Sequence, residues 1–358
     1  MSPIRVFIID DSALIRGLLA EILNADPEID VVGAASNPVA AWPGIKATRP
    51  DVLTLDVEMP RMDGLTFLDK LMAAHPLPVV MVSSLTEKGC ATTLQALEAG
   101  AVDFVAKPKI DIQAGTVALA DEIVAKVKGA ARARVRRAAS SASLRQRAPI
   151  AMPQRQLSEV THRLIAIGAS TGGTEALKVV LSAMPAAAPG IVVVQHMPAQ
   201  FTRAFADRLN GLCDIEVREA KEGDRVLPGL ALIAPGNHHM HVRKSGAEYR
   251  VAISSEAPVN RHRPSVDVLF DSCARAAAHN AVGVILTGMG NDGAQGMRRM
   301  HDAGAHTIAQ DEATCVVYGM PREAVLAGGV DRVLPLDDCA GAAVNAALSP
   351  TRSMRQAV

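Results

Sequence analysis

Ser170 stands in the stretch LIAIGASTGGTEALK, which runs from Leu164 to Lys178. An apolar run leads into a small glycine-rich loop, and helical spacing follows. Such a loop can cradle a phosphate or present a nucleophile. A dinucleotide site needs G-x-G-x-x-G and an acid at the end of the next strand for the ribose. GASTGG lacks that spacing, and the next apolar run, IVVVQHMP, ends in Gln195-His196. A phosphate P-loop needs G-K-[ST], and Lys178 is too far into the helix. The nucleophile reading has more in its favour. Gly168, Ala169, Gly172 and Gly173 allow close approach by a substrate, and a helix start offers unpaired N–H groups and the positive end of a dipole. Those donors suit an oxyanion. A serine still needs a base oriented by a third group. His196 ends the next strand, and VGVILTGMGNDG places Asp292 just past another. Serine, histidine and aspartate at one edge of one sheet are what a triad requires. Each also suits a plainer role: a polar residue at a strand end, a turn residue in N-D-G, a helix N-cap. The residue types alone leave both readings open.

A second constellation lies nearer the N-terminus. Asp10 and Asp11 end the first apolar run and Asp56 ends the third. Ser83-Ser84 end the fourth, and Lys107-Pro108 follow the fifth. In a parallel sheet these ends share one edge, where ligands bind. Crowded carboxylates repel one another and call for a cation, and an all-oxygen set suits Mg²⁺. A metal-bound carboxylate beside a lysine can accept a phosphoryl group, with metal and lysine offsetting the charge on the transferred oxygens.

These groups need elements to hold them. The runs Val6–Ile9, Val31–Ala34, Val52–Leu55, Val79–Val82 and Val102–Val105 alternate with helical spacing such as Ser12–Leu23 and Leu65–Ala74. That pattern predicts a doubly wound, five-stranded parallel sheet over residues 1–128. Residues 129–161 are rich in Arg, Ala, Ser, Gln and Pro, which reads as a linker: a solvated tether in the first place, with a basic arm for an acidic partner as the alternative. Alternation resumes with Leu164–Ile167, Ile191–Val194, Leu230–Ile233, Val282–Leu286 and His306–Ala309, with helical spacing over Ser265–Ala278. A second doubly wound, mostly parallel α/β domain is expected over 162–350, with a tail at 351–358.

Composition narrows the class. A chain of 358 residues suits two domains, and 49% hydrophobic residues allow sizeable cores. Lys+Arg and Asp+Glu both number 37 and aromatics make up 3%, which argues against nucleic-acid binding. The cysteines, Cys90, Cys213, Cys273, Cys315 and Cys339, form no C-x-x-C pair and suit a reducing compartment. MSPIRVFIIDD enters a strand at once, without the pattern of a signal peptide. No apolar run approaches the ~20 residues of a membrane span. The chain reads as cytoplasmic, monomeric and not inserted in a membrane.

VFIIDDSALIR, LTLDVEMPRMDGL, VVMVSSLT and GAVDFVAKP resemble a response-regulator receiver domain, of flavodoxin-like fold, over residues 4 to about 125. The resemblance implies that Asp56 is the phosphoacceptor. It implies that Asp11, Asp56 and the backbone carbonyl of Glu58 hold Mg²⁺ with Asp10 nearby, that Ser83 and Lys107 sense the phosphate, and that Phe104 is the aromatic switch. IAIGASTGG, VVVQHMPAQFTRAFADRL, APGNHHM, HRPSVDVLF, ILTGMGNDGAQGM and CVVYGMPREA resemble the catalytic domain of chemotaxis protein-glutamate methylesterases (the CheB family), over about 164 to 348. That resemblance implies Ser170 as nucleophile, His196 as general base, Asp292 as orienting acid and the backbone N–H of Met289 as oxyanion donor. The N–H of Thr171 is added from its helix-start position.

The expected function is therefore a phosphorylation-activated serine hydrolase of chemotaxis two-component signalling. It would demethylate glutamate methyl esters on methyl-accepting chemoreceptors, deamidate glutamines, and need no cofactor for hydrolysis. A chemotaxis histidine kinase would be the phosphodonor, the unphosphorylated receiver would cover the active site, and the protein would be recruited to receptor arrays. His238, His239 and His241 lack a carboxylate or cysteine at ligand spacing and are read as structural. The alternatives are a response regulator whose output domain binds DNA or a protein without catalysis, and an unrelated serine hydrolase of small esters. The first calls for a basic recognition helix after a short turn, where the chain offers long α/β alternation.

Overall fold

The computed structural model describes residues 2–84, 86–107, 116–134 and 162–349. The chain divides into two units, Met1–Ser140 and Ser141–Val358. Most of the expected linker and the whole expected tail lie outside the described residues.

In the first unit, β1 (Ile4–Ile9), β2 (Ile29–Ala35), β3 (Val52–Asp56), β4 (Val79–Ser83) and β5 (Asp103–Ala106) form one sheet in the order β2-β1-β3-β4-β5. Every pairing is parallel. β3, β4 and β5 are buried along their whole length, as expected of strands covered on both faces. The helices are α1 (Ala13–Asn24), α2 (Pro38–Thr48), α3 (Gly64–Ala74), α4 (Glu87–Glu98) and α5 (Thr116–Ala131). Side chains at their N-caps start the first four: Ser12, Asn37, Asp63 and Thr86 each accept from an amide of the first turn. The boundary expected at residue 128 falls inside α5, which continues to Ala131.

The second unit is built on seven strands in the order β14-β13-β12-β6-β7-β9-β8, again all parallel. They are β6 (Leu164–Ala169), β7 (Gly190–Gln195), β8 (Glu216–Glu219), β9 (Leu230–Ile233), β12 (Ala281–Ile285), β13 (His306–Gln310) and β14 (Arg332–Leu334). An antiparallel hairpin, β10 (His239–Ser245) with β11 (Glu248–Ser254), stands apart from the sheet. The helices are α6 (Gly173–Ser182), α7 (Ala199–Asn210), α8 (Val266–Ala276), α9 (Ala294–Asp302), α10 (Met320–Leu326) and α11 (Leu336–Leu348).

Helix α8 shows why the core is well fixed near the site. Ser265 caps it, and its buried face is Val266, Leu269, Phe270 and Cys273. These pack with Leu164 and Ala166 of β6, Met240 of β10 and Met297 of α9 in one apolar cluster. Each large apolar side chain so buried contributes ~1.5–3 kcal/mol. α8 lies close against β6: a Cβ at Gly168 would meet Val266 Cγ1 at 2.2 Å. The strand that leads to Ser170 and the helix that starts at Val266 are therefore in direct contact.

The order β12-β6-β7 is the feature that matters for chemistry. From β6 the chain goes on to β7 on one side, while β12 lies on the other. This is a switch point of a parallel sheet, where the carboxyl ends of neighbouring strands open a crevice.

Candidate active site

Ser170 follows β6, His196 follows β7, and Asp292 lies between β12 and α9. The three meet. Ser170 Oγ lies 3.1 Å from His196 Nδ1, and His196 Nε2 lies 2.8 Å from Asp292 Oδ2. An imidazole that donates from Nε2–H to the carboxylate leaves the Nδ1 lone pair facing the hydroxyl, as a base needs.

The serine loop is pinned on both sides. Ser170 N–H donates to Thr287 O (3.0 Å), and Gly173 N–H donates back to Ser170 O (2.7 Å). Thr287 Oγ1 donates to Thr171 O (3.0 Å), so the loop after β12 holds the loop after β6. Gly172 is the N-cap of α6 at φ 75°, a left-handed conformation that favours glycine. Thr171 thus lies one residue ahead of the cap and is buried. The letters Gly168-Ala169-Ser170-Thr171-Gly172 fit the pattern G-x-S-x-G. The strained serine of a nucleophile elbow is absent, because Ser170 does not have a positive φ. The segment Gly288-Met289 passes beside Ser170: a Cβ at Gly288 would sit 2.8 Å from Ser170 Cβ. Gly288 N–H is bonded to Val317 O, at 3.1 Å.

Asp292 is buried, with 1% of its surface exposed, and is densely hydrogen-bonded. Its Oδ1 accepts from Asn260 Nδ2 (2.8 Å), Ser265 Oγ (2.7 Å) and Asp267 N–H (3.2 Å). Its Oδ2 accepts from Val266 N–H (2.7 Å) and His196 Nε2 (2.8 Å). Two of these donors are first-turn amides of α8, so the carboxylate caps that helix and gains from its dipole. Burial by itself would raise the Asp292 pKa. Hydrogen bonding to His196, the His196 charge, Asn260 and Ser265 outweigh it and hold the carboxyl well below the usual range.

Four residues of this site escaped the sequence reading. Gln195 Nε2 donates to the carbonyls of Ser170 (2.9 Å) and His196 (3.3 Å), tying the two residues together through their backbones. Asn260 shares its amide between Asp292 and Asp267. His262 stacks on His196, with centroids 3.7 Å apart and planes 11° from parallel. Asp267 accepts from Gly296 N–H at 2.6 Å and Asn260 at 2.7 Å; burial, and then the Asp292 charge, push its pKa up against those bonds. The available signals were a Gln at a strand end and, for Asp267, an acid in the first turn of a helical run. Neither says which distant residue is the partner.

The three histidines of the NHHMH run hold backbone and side-chain oxygens. His239 Nε2 lies 3.0 Å from Ala257 O and His241 Nε2 lies 3.2 Å from Ser254 Oγ. His238 Nδ1 lies 3.2 Å from Gly236 O.

In the first unit, ligand oxygens of Asp10, Asp11 and Asp56 come within 4.8 Å of one another. Lys107 Nζ reaches Asp56 Oδ2 at 2.6 Å and Asp10 Oδ2 at 3.4 Å. Asp10 Oδ2 is buried and, apart from that ion pair with Lys107, has no hydrogen-bond partner. This donor set fits a hard divalent cation. Burial pushes Asp56 up to about 6; the Lys107 hydrogen bond opposes this and the Asp10 charge adds to it. Burial also raises Asp10, against bonds from Ser12 N–H and the Lys107 charge. Glu58 donates its N–H to Asp56 Oδ1 at 3.1 Å. Ser83 is buried and accepts from Thr93 Oγ1 at 2.7 Å. Phe104 is buried, with Lys126 Nζ 4.7 Å from its ring centroid. Among the described residues no helix is long and apolar enough to cross a membrane.

Comparison with known proteins agrees with this two-part organisation. Residues 165–343 match the family described as CheB methylesterase, and residues 6–116 match the response regulator receiver domain. The chain is 57% identical over 335 residues to protein-glutamate methylesterase/protein-glutamine glutaminase 2 of Cupriavidus pinatubonensis, covering 94% of this chain and 93% of that one. It is 58% identical over 340 residues to a protein of the same name from Pseudomonas aeruginosa, covering 95% of this chain and 96% of that one. Among solved structures, the Thermotoga maritima CheB methylesterase catalytic domain is similar, with TM-score 0.50 and 36% identity. It covers 51% of this chain and 97% of that one.

Proposed function

Because the chain belongs to the CheB methylesterase family and carries a response regulator receiver domain ahead of its esterase domain, we propose that Ser170, His196 and Asp292 are the catalytic triad of a receptor-directed methylesterase and glutaminase. The observation that carries this is the unbroken chain from Ser170 Oγ to His196 to Asp292, at 3.1 and 2.8 Å.

Ser170 Oγ attacks the carbonyl carbon of a glutamate methyl ester while His196 Nδ1 takes its proton. The tetrahedral intermediate collapses, the C–O bond to methoxide breaks, and His196 returns the proton, releasing methanol. Water then attacks the acyl-enzyme through the same imidazole, giving glutamate and free Ser170. A glutamine amide follows the same course and yields ammonia. Asp292 fixes the tautomer with Nε2 protonated and stabilises the imidazolium formed in each half-reaction. We assign the oxyanion to the backbone N–H of Met289, on the segment that passes Ser170, with the N–H of Thr171 as the second donor. The hydrolysis uses protein groups alone.

In the receiver unit we assign Asp56 as phosphoacceptor, with a chemotaxis histidine kinase as donor. Asp10, Asp11, Asp56 and the Glu58 carbonyl would hold Mg²⁺, which when bound offsets charge on the phosphoryl oxygens. Lys107, already on Asp56, would turn to the phosphoryl group, and Ser83 and Phe104 would report it. Phosphorylation then raises esterase turnover. The substrates are methyl-accepting chemoreceptors, reached from the cytoplasm at receptor arrays.

The test is methanol release from methylated receptor membranes, with and without a small phosphodonor. The full chain should release methanol, faster with phosphodonor, and Ser170→Ala should release none. Substantial release by Ser170→Ala would remove Ser170 from its role.

A further inference from the structure

The segment between the β10–β11 hairpin and α8 is fastened more firmly than a connection requires. Val259 and His262 exchange both backbone hydrogen bonds, at 2.9 and 3.1 Å. The two residues between them, Asn260 (φ 52°) and Arg261 (φ 67°), are both left-handed. Asparagine tolerates that conformation; arginine does not favour it. Flanking groups lock the segment in place. Arg263 donates to Asn237 Oδ1 through Nη2 (2.6 Å) and to the carbonyls of Ser255 and Glu256 through Nη1 (3.1 and 3.0 Å). His239 bonds Ala257 O at one ring nitrogen and accepts from Ser265 N–H (3.2 Å) at the other. Left-handed backbone at a bulky residue persists only where its surroundings impose it, and it gathers at working sites.

The turn delivers two side chains. Asn260 Nδ2 lies 2.7 Å from Asp267 Oδ2 and 2.8 Å from Asp292 Oδ1, bridging two buried carboxylates that would otherwise repel. His262 lays its ring on the face of His196, 3.7 Å between centroids. Hydrogen bonds grip His196 only at its edge, through Ser170 and Asp292.

We propose that Asn260 and His262 are positioning residues for ester hydrolysis, Asn260 holding Asp292 and His262 holding the His196 ring, and that His262 matters most in deacylation. The inference rests on the triad proposed above. Once Ser170 is acylated its hydroxyl proton is gone, and His196 loses its partner at Nδ1. One hydrogen bond, to Asp292, then remains, and the ring is free to swing about it. Stacking on His262 removes that freedom and keeps Nδ1 aimed where the water must lose its proton. A loss at His262 therefore falls on the second half-reaction more than the first.

The experiment uses the full chain and methylated receptor membranes, and reads methanol by rapid quench and in the steady state. Methanol leaves on acylation, so slow deacylation appears as a burst. His262→Ala should lower kcat at least tenfold, lower kcat/KM by less, and show a burst close to one methanol per enzyme. His262→Phe, which restores a flat ring without imidazole nitrogens, should return kcat to within a few-fold of wild type and abolish the burst. Asn260→Ala should lower kcat and kcat/KM together, since Asp292 serves both steps. The idea is overturned if His262→Ala keeps wild-type kcat, if it loses kcat/KM as much as kcat without a burst, or if His262→Phe recovers nothing while melting like wild type. Failure of the wild-type chain to release methanol would instead overturn the esterase reading itself.

Discussion

Replacing Asp292 by asparagine changes one atom's chemistry and leaves its shape. The carboxylate accepts five hydrogen bonds, three at Oδ1 and two at Oδ2. An asparagine oxygen at the Oδ1 position keeps the bonds from Asn260, Ser265 and Asp267. Its NH₂ then faces Val266 N–H and His196, both donors. His196 can answer only by moving its proton to Nδ1, which points it at Ser170 Oγ, 3.1 Å away. The base is lost in that tautomer. The imidazolium of the transition state also loses its counter-charge at 2.8 Å. At an effective dielectric near 20 that attraction is ~4–6 kcal/mol. At ~1.36 kcal/mol per decade this is a fall of roughly 10³–10⁴ in kcat, with KM little changed because Asp292 is buried. The assay is steady-state methanol release on methylated receptor, with melting curves for both chains. The stability effect has a definite sign. The folded Asp292 pKa lies below its unfolded value of 3.8, so its contribution is present above that pH and is lost as the pH falls further. The gap in stability between wild type and Asp292→Asn should therefore close in acid. Retention of a tenth or more of wild-type kcat by a folded Asp292→Asn would refute this account of the acid.

In the receiver, Asp56→Asn should block phosphate incorporation from a small phosphodonor, and undiminished labelling would mean another acceptor. Asp56 ionises at about 6 in the fold instead of 3.8, so with chelator present the receiver should lose stability, by up to about 3 kcal/mol, as the pH rises through that window. Denaturation at pH 4.5 and 7 should show this slope flattened in Asp56→Asn, and Mg²⁺ should protect the receiver well at pH 7 and poorly at pH 5, where protons compete. Gly173→Ala would set a Cβ 2.1 Å from Gln195 Oε1 and 2.7 Å from Ala169 Cβ, displacing the side chain that ties Ser170 to His196. It should cost ~1–3 kcal/mol in the melt and lower kcat, whereas an unchanged kcat would separate Gln195 from the chemistry. Deleting residues 1–128 should raise methanol release in the absence of phosphodonor; a fall would contradict a restraining receiver.

The sequence carried the sites' main residues because a parallel sheet collects strand ends at one edge. Asp10, Asp56, Ser170 and His196 all follow apolar runs that are visible as such, and Asp292 follows one by a short loop. Buried strands are legible for the same reason: β3, β6 and β7 are apolar because both faces are covered. Edge and hairpin strands are not. β8 reads EVRE and β14 reads RVL, half exposed at the two margins of the large sheet, and β10 and β11 are rich in charge. None shows an apolar run longer than three residues. The support around Ser170, His196 and Asp292 was hidden for another reason. Asn260 lies 32 residues from Asp292, and a polar side chain in an irregular turn has no periodicity to reveal its partner. Gln195 was visible at a strand end, but its bond to Ser170 O depends on the register of β6 against β7. Residue type gives the chemistry available; only the register and the turn geometry say which groups meet.

The central claim is that one serine is acylated by the substrate. It is tested most directly by incubating the full chain with methylated receptor, quenching in acid during turnover, and mapping covalent adducts by peptide mass spectrometry. A glutamyl ester is expected on the peptide containing Ser170, absent from Ser170→Ala and enriched in His262→Ala. Methanol released at the normal rate with no adduct on Ser170, or with the adduct on another side chain, would contradict it.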